Sequence, residues 1–281
     1  MSVSAVSPEK TGTKLVLGLL AGEGSLPAIL AQSAAARGYT VIALALSPQA
    51  AELVGPYCTK VIEVYPGQVG KNIKLAKAEG ISDAVLIGKV PKLNILQNIT
   101  KLDWVAVREL SKITNFSDHA VQQAVAGIME REGIKIRPQA EFLRHLFPEV
   151  GVVTKRQPTA AEYIDIEYGL SVAKEIARLD IGQTVVVQDR IILAVEGAEG
   201  TDRAIRRGVE LARKPVVVVK VAKAGHDPRF DTPAVGLTTL DAMKAPKSGG
   251  VLAIGAGETM LVDQEEAVRF ADANGISIVA V

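Results

Sequence analysis

The first 146 residues alternate between short apolar runs and longer stretches in which apolar side chains recur every three or four positions. This pattern predicts strands at residues 14–21, 40–46, 60–64 and 83–87, and helices at residues 26–37 and 69–79. A glycine follows each of these two helices, as is common at helix C-termini. Strands that alternate with helices predict a doubly wound parallel sheet, so we expect an N-terminal Rossmann-like domain.

The periodicity changes after this sheet and is lost before the second half. Residues 101–131 have a helical pattern, residues 134–136 form a short strand, and residues 139–146 form a last helical piece. Residues 147–160 contain Pro148, Gly151 and Pro158 and have no clear period, which indicates a linker. We therefore expect a loose tail at 1–13 and domains at 14–146 and 161–281.

The second half has a mixed pattern. It predicts helices at 161–179, 201–211, 238–245 and 264–274, and strands at 184–188, 191–195, 215–221, 251–254, 260–262 and 276–281. The strands at 184–188 and 191–195 are joined at Asp189-Arg190, which indicates a hairpin without the usual Asn-Gly or Asp-Gly turn. We expect a second, mixed α/β domain.

Composition excludes several classes of protein. Of 281 residues, 48% are hydrophobic and 22% are charged, which excludes global disorder. The 32 basic and 31 acidic residues give a net charge of +1, and aromatic residues are 4%, so we expect no nucleic-acid partner. The single cysteine, Cys58, excludes an intrachain disulfide and a cysteine-based zinc site, and favours a cytoplasmic location. No window has the 18–20 or so apolar residues of a membrane span, and the apolar run from residue 15 is interpreted as a strand.

A glycine turn follows the first predicted strand. Gly22, Gly24 and Ser25 lie where a helix N-terminus presents N–H groups to a phosphate, although a plain strand–helix turn has the same pattern. Ser25 is also a candidate helix cap. Pro27 replaces the third glycine of a dinucleotide fingerprint, and Leu46-Ser47 occupies the place of its acid, so we reject that interpretation.

Two further windows in the first half carry candidate ligand contacts. Gly88 and Lys89 follow the strand at 83–87, where a lysine can offset phosphate charge, or can equally be a solvated loop side chain. Asp118 is either a helix cap or a functional acid, and His119 beside it is a candidate base.

The second half concentrates charge in two loops. Glu196, Glu199 and Asp202 surround a predicted helix start that Thr201 or Asp202 can cap; these carboxylates suit either the helix dipole or a hard metal. The other loop holds two lysines, a histidine, two aspartates and an arginine within twelve residues: Lys220, Lys223, His226, Asp227, Arg229 and Asp231. We favour a functional role here, with cations binding phosphate oxygens and a carboxylate holding metal or activating water.

Four runs resemble one known family: LGLLAGEGSLP, LDIGQTVVV, LAVEGAEGTD and KVAKAGHDPRFDTPAVG. They are similar to the LpxI-type UDP-2,3-diacylglucosamine pyrophosphatases, and the likeness extends from about residue 15 to the C-terminus. The resemblance implies a cytoplasmic, membrane-peripheral hydrolase of lipid A biosynthesis that uses a divalent metal, usually Mg²⁺. Such enzymes cleave a lipid-linked UDP-sugar to UMP and 2,3-diacylglucosamine 1-phosphate. They are homodimers of two-domain chains, with the active cleft between the domains and water attacking the sugar-side phosphorus.

The resemblance also implies residue roles. Asp231 matches the family's essential aspartate, and Gln183, Thr201 and Asp202 match positions near the ligand head group. We assign Asp231, Asp227 and Lys220 to catalysis, and Asp202 and Asp231 to the metal. The expected substrate-binding residues are Ser25, Gly22, Gly24, Gly88, Lys89, Asp118, Gln183, Thr201, Lys223 and Arg229.

Departures from the family's pattern keep other functions open. Ser117-Asp118-His119, His226 and Lys89 differ from the residues usual there, which bears on the exact substrate. The alternatives are a pyrophosphatase for another nucleotide-linked sugar and a non-catalytic nucleotide- or lipid-binding protein.

Overall fold

A computed structural model describes residues 15–90, 102–110, 118–223, 227, 229, 232–244 and 249–281. The side chains of residues 109, 110 and 118–121 fall outside this description, as does the predicted tail at 1–13. The chain forms two compact units, which meet in sequence between Phe142 and Leu143. Among the described residues, no helix is both long and apolar enough to cross a membrane.

The first unit is a parallel sheet with helices, as the alternating pattern predicts. Its strands are β1 (Val16–Ala21), β2 (Thr40–Ala45), β3 (Lys60–Glu63), β4 (Asp83–Ile87) and β5 (Lys135–Ile136). Its helices are α1 (Leu26–Ala36), α2 (Pro48–Val54), α3 (Val69–Ala78), α4 (Trp104–Leu110), α5 (Asp118–Arg131) and α6 (Gln139–Leu143). The strand order is β3-β2-β1-β4-β5, and every pair is parallel. The carboxyl ends of β1 and β4 therefore lie side by side.

Helix α2 is an element that the apolar pattern did not predict. The Ser47 hydroxyl accepts a hydrogen bond from the Ala50 N–H at 3.2 Å, and Pro48 occupies the first helical position. Serine followed by proline is a helix-start signal. The helix buries only Ala50 and Val54, which is too little apolar surface to produce a visible period.

The second unit is the expected mixed α/β domain. Its strands are β6 (Gly151–Val152), β7 (Thr184–Gln188), β8 (Ile191–Val195), β9 (Val216–Lys220), β10 (Ala234–Val235), β11 (Gly250–Ile254), β12 (Met260–Leu261) and β13 (Ile276–Ala280). Its helices are α7 (Ala160–Arg178), α8 (Thr201–Leu211), α9 (Leu237–Ala242) and α10 (Gln264–Ala273). The main sheet has the order β6-β13-β11-β9-β7-β8, in which β9, β11 and β13 are parallel and the other pairs are antiparallel.

Strand β9 lies within this sheet and is buried along its whole length. Its valines alternate between two cores: Val218 packs with residues of α8, α9 and α10, and Val219 packs with residues of α7. Burial on both faces explains the continuous apolar run that predicts the strand. It also means that Lys220, the last residue of β9, enters the interior at the carboxyl edge.

The β7–β8 hairpin is confirmed, and the structure explains its unusual turn. Asp189 and Arg190 both have positive φ, 52° and 59°. This conformation normally favours glycine or asparagine. The buried Asp165 carboxylate accepts hydrogen bonds from the N–H groups of Asp189 at 2.9 Å and Arg190 at 2.6 Å. A carboxylate from α7 therefore stabilises the turn, and the local sequence gives no sign of it.

Candidate functional site

The second unit gathers polar side chains at the carboxyl end of β9. Lys220 pairs in register with Thr184, the first residue of β7, and Glu196 follows the end of β8. Thr201 begins α8. Parallel sheets bind ligands beyond the carboxyl ends of their strands, so this is the expected place for a site.

Lys220 is a buried cation. Lys220 is only 6% exposed to solvent. The ammonium donates hydrogen bonds to the Ala234 carbonyl at 3.0 Å and to the Thr201 hydroxyl at 3.3 Å. A buried charge of this kind is retained only where hydrogen bonds and opposite charge compensate for lost hydration.

Glu196 is the buried carboxylate of the same cluster. It is 8% exposed, and its two oxygens accept from the Thr201 hydroxyl at 2.8 Å and the Gln183 N–H at 3.3 Å. Gly182 makes this approach possible, because a Cβ there would lie 2.1 Å from the Glu196 carbonyl oxygen. Glu196 thus contacts two of the predicted site residues and is linked to a third, Lys220, through Thr201, but it is absent from the predicted site itself.

Thr201 and Asp202 do not cap α8, contrary to that sequence-based expectation. Gly200 occupies the N-cap position with a φ of 83°, and no side chain caps the helix. The Thr201 hydroxyl is instead engaged by Glu196 and Lys220. Asp202 lies in the first turn and makes no hydrogen bond or ion pair with any described residue.

The three carboxylates around this helix start differ in their hydrogen-bond partners. Glu196 binds Thr201, and Glu199 pairs with Arg207 at 2.6 Å. The hydrogen bond from Arg207 lowers the pKa of Glu199. Within the described ranges, no group of three or more acidic, histidine or cysteine side chains could hold a metal. Asp202 is the carboxylate of this set that keeps its oxygens available.

A buried hydroxyl beside the cluster lacks a hydrogen-bond partner. The Thr184 residue is 0% exposed, and its Oγ1 bonds to no atom of the described structure. Unpaired buried hydroxyls are costly and uncommon. Thr184 therefore places an unpaired buried hydroxyl on the strand next to Lys220.

The charged loop after β9 is described only in part. Asp227 and Arg229 form a bidentate ion pair, with contacts of 2.6 Å and 2.9 Å. The Lys223 ammonium donates to Asp180 at 2.7 Å. His226 and the predicted catalytic Asp231 lie outside the described residues.

In the first unit, the glycine turn is used mainly for close packing. The Gly22 N–H donates to the Ile87 carbonyl at 2.8 Å, and the Glu23 N–H donates to the Lys89 carbonyl at 2.9 Å. A Cβ on Gly22 would lie 2.5 Å from the Lys89 carbonyl oxygen, and one on Gly88 would lie 2.7 Å from the Gly22 carbonyl carbon. The idea that this turn presents free N–H groups is therefore wrong for its first two residues.

The remaining turn residues are accessible. Gly24 and Ser25 are exposed, and their N–H groups form no backbone hydrogen bond with the described residues. Ser25 stands at the N-cap position of α1, but its side chain caps nothing, contrary to expectation. Lys89 is exposed as well. Asp118 begins α5, and its side chain and that of His119 lie outside the described part.

An apolar cavity of about 80 Å³ lies in the first unit near the ends of β1, β2 and β4. Leu20, Leu46 and Ile87 line it with residues of α3 and α5, and Asn72 and Gln122 are its polar lining residues.

The single cysteine does not support thiol chemistry, because burial raises the pKa of Cys58 to about 11.

Known proteins match both units. The family model for the LpxI N-terminal domain matches residues 16–146, and the model for the LpxI C-terminal domain matches residues 149–279. UDP-2,3-diacylglucosamine pyrophosphatase LpxI of Caulobacter vibrioides is 30% identical over 275 residues, which cover 94% of this chain and 97% of that protein. These matches confirm the resemblance found in the four sequence runs. The chain belongs to the LpxI family and contains both of its domains.

Proposed function

We propose that the chain hydrolyses the pyrophosphate of UDP-2,3-diacylglucosamine to UMP and 2,3-diacylglucosamine 1-phosphate. The observation that carries the proposal is the buried Lys220 ammonium at the carboxyl edge of β9, in a chain of the LpxI family. A cation in a water-poor site interacts strongly with the negative charge that a breaking phosphoanhydride develops.

The proposed reaction transfers the sugar-side phosphoryl group to water. Water oxygen bonds to the sugar-side phosphorus, and the bond from that phosphorus to the bridging oxygen breaks. The bridging oxygen leaves with UMP, which needs no strong acid to depart. Lys220 compensates the phosphate charge, and Asp231 or Asp227 orients the water or takes its proton. Asp227 is held in place by its bidentate ion pair with Arg229.

We further propose Mg²⁺ as the cofactor, held by Asp202 and Asp231. Mg²⁺ in proteins is commonly bound by one or two carboxylates together with substrate phosphate oxygens. Asp202, whose oxygens have no partner among the described residues, fits that donor set. The ion would supply further charge compensation at the pyrophosphate.

Substrate contacts are proposed on both units. Gly24 and Ser25 offer accessible N–H groups, and Lys89 offers an exposed cation. The other proposed contacts are Gly22, Gly88, Asp118, Gln183, Lys223 and Arg229, whereas the Thr201 hydroxyl is engaged by Glu196 and Lys220. The apolar cavity of the first unit supports a substrate with acyl chains, because its lining is almost entirely hydrocarbon.

Peripheral contact with the inner face of the inner membrane is part of this proposal. Trp104 and Val107 on α4 are 76% and 44% exposed. Asp103 accepts hydrogen bonds from the first turn of α3, a helix on which Lys71 and Lys74 are exposed. An exposed tryptophan beside lysines suits an anionic bilayer interface. The proposed cytoplasmic location rests on the single cysteine and the family resemblance, and the proposed homodimer rests on the resemblance.

UMP release tests the main proposal. With Mg²⁺, we expect the protein to release UMP from UDP-2,3-diacylglucosamine and to prefer this substrate over UDP-N-acetylglucosamine. Equal rates of UMP release from the two substrates would contradict the proposed preference for the acylated one. No UMP release, with binding retained by both the wild type and Asp231→Ala, would indicate a binding protein.

Sedimentation with vesicles tests the membrane contact. Trp104→Ala should reduce the fraction of protein bound to vesicles of phosphatidylethanolamine and phosphatidylglycerol. Tyr57→Ala, which removes an aromatic side chain that is 37% exposed elsewhere on the same unit, is the matched control. Equal binding by both variants would place the contact elsewhere.

A further inference from the structure

We propose that Glu196 is a positioning residue, which acts through the Thr201 hydroxyl to hold the Lys220 ammonium in place. This inference rests on the proposed function, because it takes Lys220 to be the cation that meets the pyrophosphate. Glu196 itself would not touch the substrate. Its carboxylate is occupied by Thr201 and Gln183.

Hydrogen-bond direction fixes the order of this chain of groups. An ionised carboxylate only accepts, and an ammonium only donates. The Thr201 hydroxyl has one proton, which it gives to Glu196 at 2.8 Å, so it meets Lys220 with a lone pair at 3.3 Å. Thr201 therefore has no proton left for a phosphate oxygen, and its part in the site is to link Glu196 to Lys220.

Burial makes the link important. Glu196 and Lys220 are 8% and 6% exposed, so little water is available to replace a lost partner. The ammonium also donates to the Ala234 carbonyl at 3.0 Å, on the short strand β10. Hydrogen bonds to groups on different elements restrict the rotation of a flexible lysine side chain, and the Thr201 hydroxyl is one of these groups. Loss of the Thr201 anchor should therefore affect turnover.

The second oxygen of Glu196 holds the backbone at Gln183 in the same way. It accepts from the Gln183 N–H, and Gly182 allows the backbone to approach. Glutamine at position 196 offers one acceptor oxygen and one donor amide, so only one of the Thr201 hydroxyl and the Gln183 N–H can keep its present acceptor. Glu196→Gln is thus disruptive despite its nearly identical shape.

Two pairs of variants test the proposal through steady-state kinetics of UMP release. Thr201→Val keeps the shape and removes the hydroxyl; Thr201→Ser keeps the hydroxyl. We expect kcat of Thr201→Val to fall about 10- to 100-fold with KM changed less than about threefold, and Thr201→Ser to regain most of the loss. Glu196→Gln should resemble Thr201→Val, and Glu199→Gln, which changes an exposed carboxylate in the same loop, should retain wild-type kcat.

The outcomes separate this proposal from the proposed function. Wild-type kcat in both Thr201→Val and Glu196→Gln, beside a wild-type enzyme that releases UMP, would overturn the positioning role alone. A wild-type protein that releases no UMP would overturn the proposed function. Thermal unfolding of each variant identifies a purely structural effect: equal loss of kcat in Thr201→Ser and Thr201→Val at equal melting temperature would also contradict the hydroxyl link.

Discussion

The two units place different kinds of structure at the carboxyl ends of their parallel strands. In the first unit, Gly22 and Gly88 bring two backbones into contact, and the cation beside them, Lys89, is exposed. In the second unit, Glu196, Thr201 and Lys220 form a buried side-chain cluster. A glycine pattern that suggests phosphate binding is thus largely explained by packing. The stronger electrostatic arrangement lies where the sequence shows only charged residues in a loop.

The largest expected effect on stability tests the packing role of the first turn. Gly22→Ala places a Cβ 2.5 Å from a carbonyl oxygen, so we expect a loss of about 2–4 kcal/mol in the free energy of unfolding. Gly24→Ala is the matched control, because its Cβ would meet nothing within 4 Å and only its positive φ of 105° is strained. That strain costs about 1–2 kcal/mol. Chemical denaturation measures both, and equal losses would contradict the close-approach argument.

A second prediction separates structural from functional carboxylates in the second unit. Burial raises the pKa of Glu162, but the Thr159 N–H and the Arg156 guanidinium outweigh it, so the net pKa lies below the usual 4.5. Glu162 therefore stabilises the fold above its unfolded-state pKa, and this contribution is lost as pH falls through the lower folded pKa.

Glu162→Gln should lower the free energy of unfolding at pH 7 by about 1 kcal/mol and reduce the acid-induced loss of stability, with kcat unchanged. Urea denaturation from pH 7 to pH 3 measures the effect. A variant whose pH dependence matches the wild type would contradict the assigned pairing.

The smallest expected effect concerns the unpaired hydroxyl. Thr184→Val removes a buried polar group without a partner and keeps the shape, so we expect a gain of about 1 kcal/mol in unfolding free energy. Thr154→Val, at a residue that is also buried but whose hydroxyl accepts a hydrogen bond from the Ile278 N–H at 3.0 Å, is the control and should not stabilise. A loss of stability in Thr184→Val would show that its hydroxyl has a partner in solution.

The elements could be predicted from the sequence where burial imposes a period. The predicted strands and most predicted helices lie within three residues of the observed bounds, because apolar runs such as Val216–Lys220 are buried on both faces. The two-residue strands β6 and β10 were not predicted, because they are too short to show a period. Helix α2 was not predicted, because the helix that follows the cap residue Ser47 buries little apolar surface. The positive-φ turn at Asp189 was predicted as a turn, but its stabilisation by Asp165 depends on a residue 24 positions away.

The candidate site was predictable as a set of residues but not as an arrangement. Thr201 and Lys220 belong to recognisable runs, yet nothing in those runs shows that one hydroxyl joins the two. Glu196 was noticed as a metal or dipole candidate, and its actual partners became visible only once β8 and α8 were placed. Which side chains contact one another depends on tertiary packing, and local sequence patterns do not contain that information.

The most direct test of this account compares kcat for Lys220→Met and Lys89→Met with UDP-2,3-diacylglucosamine as substrate. The buried ammonium acts without water screening, so Lys220→Met should lower kcat about 100- to 1,000-fold. Lys89 is exposed and screened, so Lys89→Met should lower kcat less than about fivefold and act mainly on KM. Equal effects, or a larger loss of kcat for Lys89→Met, would contradict the assignment of the reaction's charge compensation to the buried cluster.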